Sequence, residues 1–170
     1  RRGAMGEPYR TLLGHFRHEA GHYFWGVFFA FDPSVEAFRA VFGDERQDYA
    51  AALQRHYANG APPDWQERYV SAYATAHPWE DWAETWAHYL HMLDTLETAA
   101  SFGIAVNTTM ADGAALASRI TYDPHTAPDL GQLVQAWMPL TFAVNSLNRS
   151  MGQPDLYPFV LSPTVVAKLS

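Results

Sequence analysis

The sequence His-Glu-Ala-Gly-His at residues 18–22, together with Glu-Asp-Trp-Ala-Glu at residues 80–84, decides how this chain folds. Apolar residues recur every three or four positions over Arg10–Ala30, so the first stretch lies inside a helix of about five turns. The second stretch opens a helix predicted over Pro78–Phe102, because proline suits a first helical turn and acids suit its positive end. We therefore expect these two helices to pack together.

Helical periodicity continues over most of the chain, and no stretch shows convincing strand alternation. Further helices are predicted over Pro33–Gly43, Arg46–Tyr57, Asp64–Thr75, Leu130–Met151 and Pro163–Leu169. Residues 104–128 mix Asn, Thr, Asp, Gly and Pro, which indicates a long loop with at most one short helix. The fold class is therefore predicted to be mainly α, with little or no sheet.

Composition bounds the class of protein. The 170 residues are 48% hydrophobic and 17% charged, which supports a packed core and argues against a disordered chain. The net charge of -7, without a basic stripe among the 11 Lys and Arg residues, argues against nucleic acid as a partner. No apolar run reaches the ~18 residues needed to span a bilayer, and no signal-like segment opens the chain. We expect a cytoplasmic protein with no membrane partner, and the sequence does not indicate its oligomeric state.

Residues 18–22 carry the pattern His-Glu-x-x-His. His18 and His22 are four positions apart, so both imidazoles share one helix face and can bind a single metal ion. Glu19 projects about 100° around the turn, where its carboxylate reaches a water beside the ion rather than the ion itself. The chain has no Cys, so any metal must take His and carboxylate ligands. Gly21 costs ~1 kcal/mol inside a helix, which indicates close approach by another element.

A catalytic zinc ion needs a third protein ligand. The residue six positions after His22 is Phe28 rather than a histidine, which excludes one extended zinc-protease pattern. Glu80 is the best candidate, and Glu84 lies on the same helix face, where it could accept the second N–H of a ligand imidazole. Two alternatives stay open: Asp81 as the ligand, or an acidic first turn that only complements the helix dipole.

Four other histidines lie near these motifs. His88 and His91 continue the helix face of Glu80, but His88 is about 12 Å further along the axis, too far to bind the same ion. His15, one turn before the motif, is interpreted as a surface or supporting residue. His77 is expected to belong to the turn that precedes the second helix.

Both motifs resemble those of known zinc peptidases. A His-Glu-x-x-His helix followed by a helix with Glu-x-x-x-Glu is similar to the gluzincin arrangement, as in anthrax lethal factor. That resemblance implies that Tyr73, seven residues before Glu80, stabilises the oxyanion. More closely, residues 14–22 and 78–91 resemble the bacterial "putative zinc-binding metallopeptidase" family, over about Tyr9–Lys168. This resemblance implies a zincin-like fold and a zinc site.

The leading hypothesis is a single zincin-like catalytic domain over residues 1–170, alone or as the C-terminal part of a longer chain. It would bind one Zn²⁺ through His18, His22 and Glu80. Glu19 would act as the general base in the hydrolysis of a peptide or protein substrate.

Two other functions stay open. The first is a catalytically silent zinc-binding module that mediates association, although neither Glu19 nor Tyr73 is needed merely to bind metal. The second is a di-iron carboxylate protein on a helical bundle, which requires two Glu-x-x-His motifs. Glu19 and His22 form one such motif, whereas Glu84 is followed by His88 at a spacing one residue too long.

Overall fold

The structure, a computed structural model, describes residues 11–109, 116–126 and 129–170. Its elements are α1 (Leu12–Phe29), α2 (Val35–Phe42), α3 (Tyr49–Asn59), α4 (Pro78–Ser101), β1 (Ala105–Val106), β2 (Ser118–Arg119), α5 (Leu130–Ser150) and α6 (Pro163–Leu169). The prediction of a mainly α fold with little sheet is therefore confirmed. The described residues form two compact units, one up to Leu90 together with Phe159–Leu169, and the other within His91–Pro158.

Local capping explains where the first helices begin and end. α1 begins after Thr11, whose Oγ1 accepts a hydrogen bond from Gly14 N at 2.9 Å. The start predicted at Arg10 lies outside the described residues. α2 and α3 end at Gly43 and Gly60, where φ values of 100° and 72° favour glycine.

The two motifs come together because α1 packs closely against α4. A Cβ added at Gly21 would lie 3.0 Å from Ala83 Cα and 3.1 Å from Trp86 Cβ, closer than ordinary van der Waals contact. The indole Nε1 of Trp82 also donates a hydrogen bond to Gly21 O at 2.8 Å. The expectation that Gly21 permits a close approach is confirmed, and the neighbouring element is α4.

Aromatic side chains fill the space between α1, α2 and the start of α4. The Trp25 ring packs 5.2 Å from that of Trp79 and 5.7 Å from that of Phe38, both edge-on. The Phe29 ring lies 5.1 Å from that of Trp82. Phe38 is only 2% exposed, which makes it the centre of this cluster. Edge-to-face aromatic pairs stabilise a core beyond the area that they bury, so the cluster fixes the orientation of both motif-bearing helices.

The prediction of a helix over Asp64–Thr75 is wrong. This segment contains two short 3₁₀ turns, Trp65–Glu67 and Tyr73–Ala76, joined by irregular backbone. Hydroxyl groups compete with helical backbone bonds here: Ser71 Oγ accepts from the amide of residue 74 at 3.1 Å, and Thr75 Oγ1 donates to the carbonyl of residue 72 at 2.7 Å. These local bonds satisfy backbone groups that a continuous α-helix would otherwise pair.

The second unit contains α5 and the short sheet. β1 and β2 are antiparallel, with Ala105 opposite Arg119 and Val106 opposite Ser118. They lie inside the predicted loop 104–128, which also contains a 3₁₀ turn at Pro124–Thr126. The parts of that predicted loop at residues 110–115, 127 and 128 lie outside the described residues.

Among the described helices, none combines the length and the apolar character that crossing a bilayer requires. The expectation of a single catalytic domain over residues 1–170 stays a prediction.

Candidate metal centre

Three side chains from α1 and α4 converge on one point. His18 Nε2 lies 3.1 Å from His22 Nε2 and 3.0 Å from Glu80 Oε2, and His22 Nε2 lies 3.5 Å from the same oxygen. Ligands held tetrahedrally at 2.0–2.1 Å from a zinc ion are about 3.3 Å apart. The spacing of these three atoms therefore fits a zinc-sized ion, with one face of the tetrahedron left for a non-protein ligand.

Helix geometry accounts for this convergence. His18 and His22 project from the same face of α1, one turn apart, and Glu80 lies in the first turn of α4. Glu80 is 1% exposed and His18 is 8% exposed, while the side chain of His22 is 30% exposed. The centre is therefore closed toward the protein core and accessible beside His22.

The polar groups at this point lack enough protons to satisfy one another. Glu80 Oε2 is buried and accepts no hydrogen bond of good geometry from the described residues, although both imidazoles approach it. Two ring nitrogens also face each other at 3.1 Å, and at most one proton can lie between them. A buried unsatisfied carboxylate oxygen is costly, so the donor set fits a bound cation.

Glu84 fixes the orientation of His18. Its Oε1 lies 2.7 Å from His18 Nδ1, and its Oε2 accepts a hydrogen bond from Ser71 Oγ at 2.6 Å. With Nδ1–H donated to this carboxylate, His18 presents Nε2 toward His22 and Glu80. The structure thus brings together the four residues singled out from the sequence, His18, His22, Glu80 and Glu84.

The two glutamates create a negative environment around His18. Burial acts to lower the pKa of His18, but hydrogen bonds and charge from Glu80 and Glu84 outweigh it and raise the pKa to about 9. Burial acts in turn to raise the pKa of Glu80, yet the imidazoles and a tyrosine hydroxyl hold it well below its usual range. Burial likewise acts to raise the pKa of Glu84, but the hydrogen bond and charge of His18 lower it below its usual value. In the metal-free protein, a proton on His18 supplies the positive charge that this cluster attracts.

Tyr49, the first residue of α3, is a member of this site that sequence reasoning missed. Its hydroxyl donates a hydrogen bond to Glu80 Oε1 at 2.6 Å. Tyr49 precedes Glu80 by 31 positions and lies on another helix, so no periodic spacing connects the two residues. Only the tertiary fold brings the phenol to the carboxylate.

Glu19 lies on the open side of the centre. A cleft of about 450 Å³ is lined by Glu19, His22, Trp25, Tyr49 and Trp79. The Glu19 side chain is 58% exposed, and its Oε1 lies 3.7 Å from His15 Nε2. Because Glu19 and His22 line the same cleft, the Glu19 carboxylate can contact a molecule bound beside His22.

Tyr73 lies in the 3₁₀ turn that precedes α4, and it is half-buried. The centroid of its ring is 6.0 Å from that of His18 and 5.9 Å from that of His56. Burial and the nearby Glu80 charge raise the pKa of Tyr73, so its phenol stays protonated. Its role as oxyanion donor stays a prediction.

The remaining candidates take other contacts. The Asp81 carboxylate pairs with Lys168 Nζ at 2.6 Å, and both side chains are buried, so Asp81 is not directed at the histidines. His77 Nδ1 accepts from the amide of Trp79 at 3.2 Å, as expected for a residue of the turn. The His88 ring packs edge-on against Phe159 at 4.5 Å.

A second group of possible ligands lies in the second unit. Asp94, Glu97 and His125 each offer an atom within 4.8 Å of the others. The side chains of Glu97 and His125 are 57% and 47% exposed, and the one ion pair between them is 3.4 Å long. Salt screens exposed charges, so this group is a weaker candidate for a metal site than the buried group on α1 and α4.

Comparisons with known proteins identify the family of the chain. The sequence profile of the family described as "Putative zinc-binding metallo-peptidase" matches residues 1–170. Uncharacterized proteins of Mycobacterium bovis and Mycobacterium tuberculosis are 47% identical to the chain over 166 residues, which is 97% of the chain and 46% of each relative. The chain therefore spans about half the length of the curated relatives it matches. No solved structure matches it. The chain belongs to the family of putative zinc-binding metallo-peptidases, which confirms the predicted resemblance to that family.

Proposed function

We propose that this protein is a zinc-dependent peptidase of the gluzincin type, which hydrolyses peptide bonds in a peptide or protein substrate. The observation that carries this proposal is the convergence of His18 Nε2, His22 Nε2 and Glu80 Oε2 within 3.0–3.5 Å of one another. One Zn²⁺ would be held by these three atoms, in agreement with the preference of zinc for imidazole and carboxylate ligands.

The cleft beside His22 supports a hydrolytic role rather than a purely structural one. A structural zinc site is closed by four protein ligands, whereas a catalytic site keeps one position open. Here three protein ligands are available from the described residues, and the half-exposed His22 faces a cleft of a size that accommodates small ligands. The cleft also holds Glu19, which binding a metal does not require.

The residues divide the chemistry between them. When bound, zinc supplies a Lewis acid that lowers the pKa of a water toward ~7 and polarises the scissile carbonyl. Glu19 takes the proton from the attacking water and passes it to the amine nitrogen as the C–N bond breaks. Tyr73 donates a hydrogen bond to the carbonyl oxygen as negative charge develops there. Glu84 holds the His18 imidazole in the tautomer that the site needs.

The ligand types also separate this proposal from a di-iron protein. A carboxylate-bridged pair of irons requires several glutamates that face one another across a bundle. The converging group offers two imidazoles and one carboxylate, with Glu84 occupied by His18 and Ser71. This set suits one zinc ion.

The cytoplasmic location stays a prediction.

The proposal is tested with the wild type and Glu19→Gln, after metal analysis of both proteins. We expect both to bind one zinc per chain, and only the wild type to cleave members of a random peptide library. Glu36→Gln is the matched control, because Glu36 is an exposed acid whose contact is with Arg39. Zinc binding by the wild type without any cleavage would favour the silent binding module, and iron in place of zinc would favour the di-iron protein.

A further inference from the structure

We propose that Tyr49 is the positioning residue of the metal centre: its hydroxyl holds one oxygen of Glu80, so that only the other oxygen is presented to the metal. This inference rests on the proposed zinc site, and it concerns how that site keeps a position open.

The two oxygens of Glu80 have different neighbours. Oε1 accepts a hydrogen bond from Tyr49 at 2.6 Å. Oε2 lies 3.0 Å from His18 Nε2 and 3.5 Å from His22 Nε2. A carboxylate can bind a metal through one oxygen or through both. The contact with Tyr49 favours binding through Oε2 alone, which leaves room for water and substrate.

Packing holds the Tyr49 ring in place. The ring lies edge-on to His77 at 5.2 Å and tilted to Trp79 at 6.0 Å. The N-cap of its helix is Asp48, whose side chain accepts a hydrogen bond from the amide of residue 51 at 3.0 Å. His77 Nε2 lies 3.2 Å from the backbone carbonyl of Gln47, which ties the same turn to the start of α4. The phenol is therefore oriented before any metal binds.

The Tyr49 hydroxyl is suited to donate a hydrogen bond to Glu80 Oε1 permanently. Glu80 is 1% exposed, so a lost hydrogen bond to Oε1 is not replaced easily by bulk water. A tyrosine hydroxyl ordinarily stays protonated at neutral pH, so it is available as a donor. The Tyr49 side chain is nevertheless part of the cleft wall, so the ring that orients Glu80 also borders the space beside His22.

Tyr49→Phe removes this single hydroxyl and keeps the ring. Tyr23→Phe is the matched control, because Tyr23 is 69% exposed on α1 and its ring packs on Phe24. Zinc affinity is measured by competition with a chromophoric chelator, and the coordination of substituted Co²⁺ is followed by its visible absorption. Circular dichroism of the metal-free proteins, with and without urea, monitors folding independently of metal.

We expect Tyr49→Phe to bind zinc about 10- to 100-fold more weakly than the wild type, the range typical for partners of metal ligands. We also expect a weaker, shifted Co²⁺ spectrum, since a second oxygen from Glu80 raises the coordination number. Tyr23→Phe should match the wild type in both measurements.

The outcomes separate this inference from the proposed function. If the wild type binds zinc and Tyr49→Phe retains the same affinity and the same Co²⁺ spectrum, the role of Tyr49 is wrong and the zinc site stands. If the wild type and His18→Ala bind zinc equally weakly, the zinc site itself is wrong. A loss of affinity with an unchanged Co²⁺ spectrum would also overturn the proposal, because it would reflect general destabilisation rather than a change at Glu80.

Discussion

Replacing Gly21 by alanine tests whether the distance between α1 and α4 sets the metal centre. The new methyl group would lie 3.0 Å from Ala83 Cα and 3.1–3.2 Å from two side-chain carbons of Trp86. Favourable carbon contacts are about 3.5–4.0 Å long, so α1 must move away by several tenths of an ångström or Trp86 must shift. Gly26 lies on the same helix with nothing within 4 Å of an added Cβ, and it provides the matched control.

The expected magnitudes follow from two opposing effects. Alanine is about 1 kcal/mol more favourable than glycine within a helix, so Gly26→Ala should increase the free energy of unfolding by about that amount. The same gain applies at Gly21, but overpacking typically costs about 1–3 kcal/mol. Gly21→Ala should therefore be less stable than Gly26→Ala by about 1–3 kcal/mol.

Zinc binding provides an independent readout of the same displacement. Metal ligands must be held within about 0.5 Å of their productive positions. A shift of α1 would move His18 and His22 away from Glu80, so Gly21→Ala should bind zinc about tenfold more weakly or worse. Gly26→Ala should bind zinc like the wild type.

The measurements are urea unfolding of the metal-free proteins, followed by circular dichroism, and zinc titration against a chelator of known affinity. If Gly21→Ala were as stable as Gly26→Ala and bound zinc as tightly as the wild type, the close packing of α1 on α4 would be refuted. The link between that packing and the metal centre would fail with it.

Two further predictions concern Glu84 and His88. Glu84→Gln replaces the carboxylate beside His18 Nδ1 with a neutral amide, so zinc affinity should fall about 10- to 100-fold in a chelator competition. The control Glu36→Gln should leave zinc affinity unchanged. Equal affinities of Glu84→Gln and the wild type would show that Glu84 does not support the ligand His18. Burial lowers the pKa of His88 to about 4, from an ordinary value of 6.5, so below pH 6.5 the unfolded chain takes up a proton that the folded protein does not. Stability of the metal-free protein should therefore fall as the pH drops from 6.5 to 4, by up to about 3 kcal/mol from this residue, and His88→Gln should lose that part of the slope in urea unfolding at pH 7 and pH 4.5. Identical slopes in the two proteins would contradict the burial of a neutral imidazole.

The residue pairs that lie within one helix of this site were predictable, because their spacing in the sequence determines which helix face they share. Two histidines four apart on a periodic helix share a face in any fold, and the same argument pairs Glu80 with Glu84. Gly21 signalled a close contact because a helical glycine is otherwise unfavourable. The choice of Glu80 over Asp81 needed a partner that the sequence did not reveal, namely Lys168, 87 positions away.

One of the failures has a local cause and the other has a tertiary cause. Apolar spacing over residues 64–75 favoured a helix, but Ser71 and Thr75 use their hydroxyls to satisfy backbone groups, and Ser71 also donates to Glu84. Tyr49 carried no signal at all, because its contact with Glu80 depends on how α3 meets α4. Sequence spacing within one helix cannot predict a residue that supports the site from another helix.

The pairing of Asp81 with Lys168 has a consequence for how the metal centre matures during synthesis. The ribosome completes both motifs long before it reaches residue 168, and until then the Asp81 carboxylate, one position after Glu80, lacks its ion pair with Lys168. Burying an unpaired charge costs several kcal/mol, so the first turn of α4 has little reason to settle against the nascent chain. In the proposed zinc site, an ion that arrives before α6 docks would therefore meet the two imidazoles without a fixed Glu80 carboxylate.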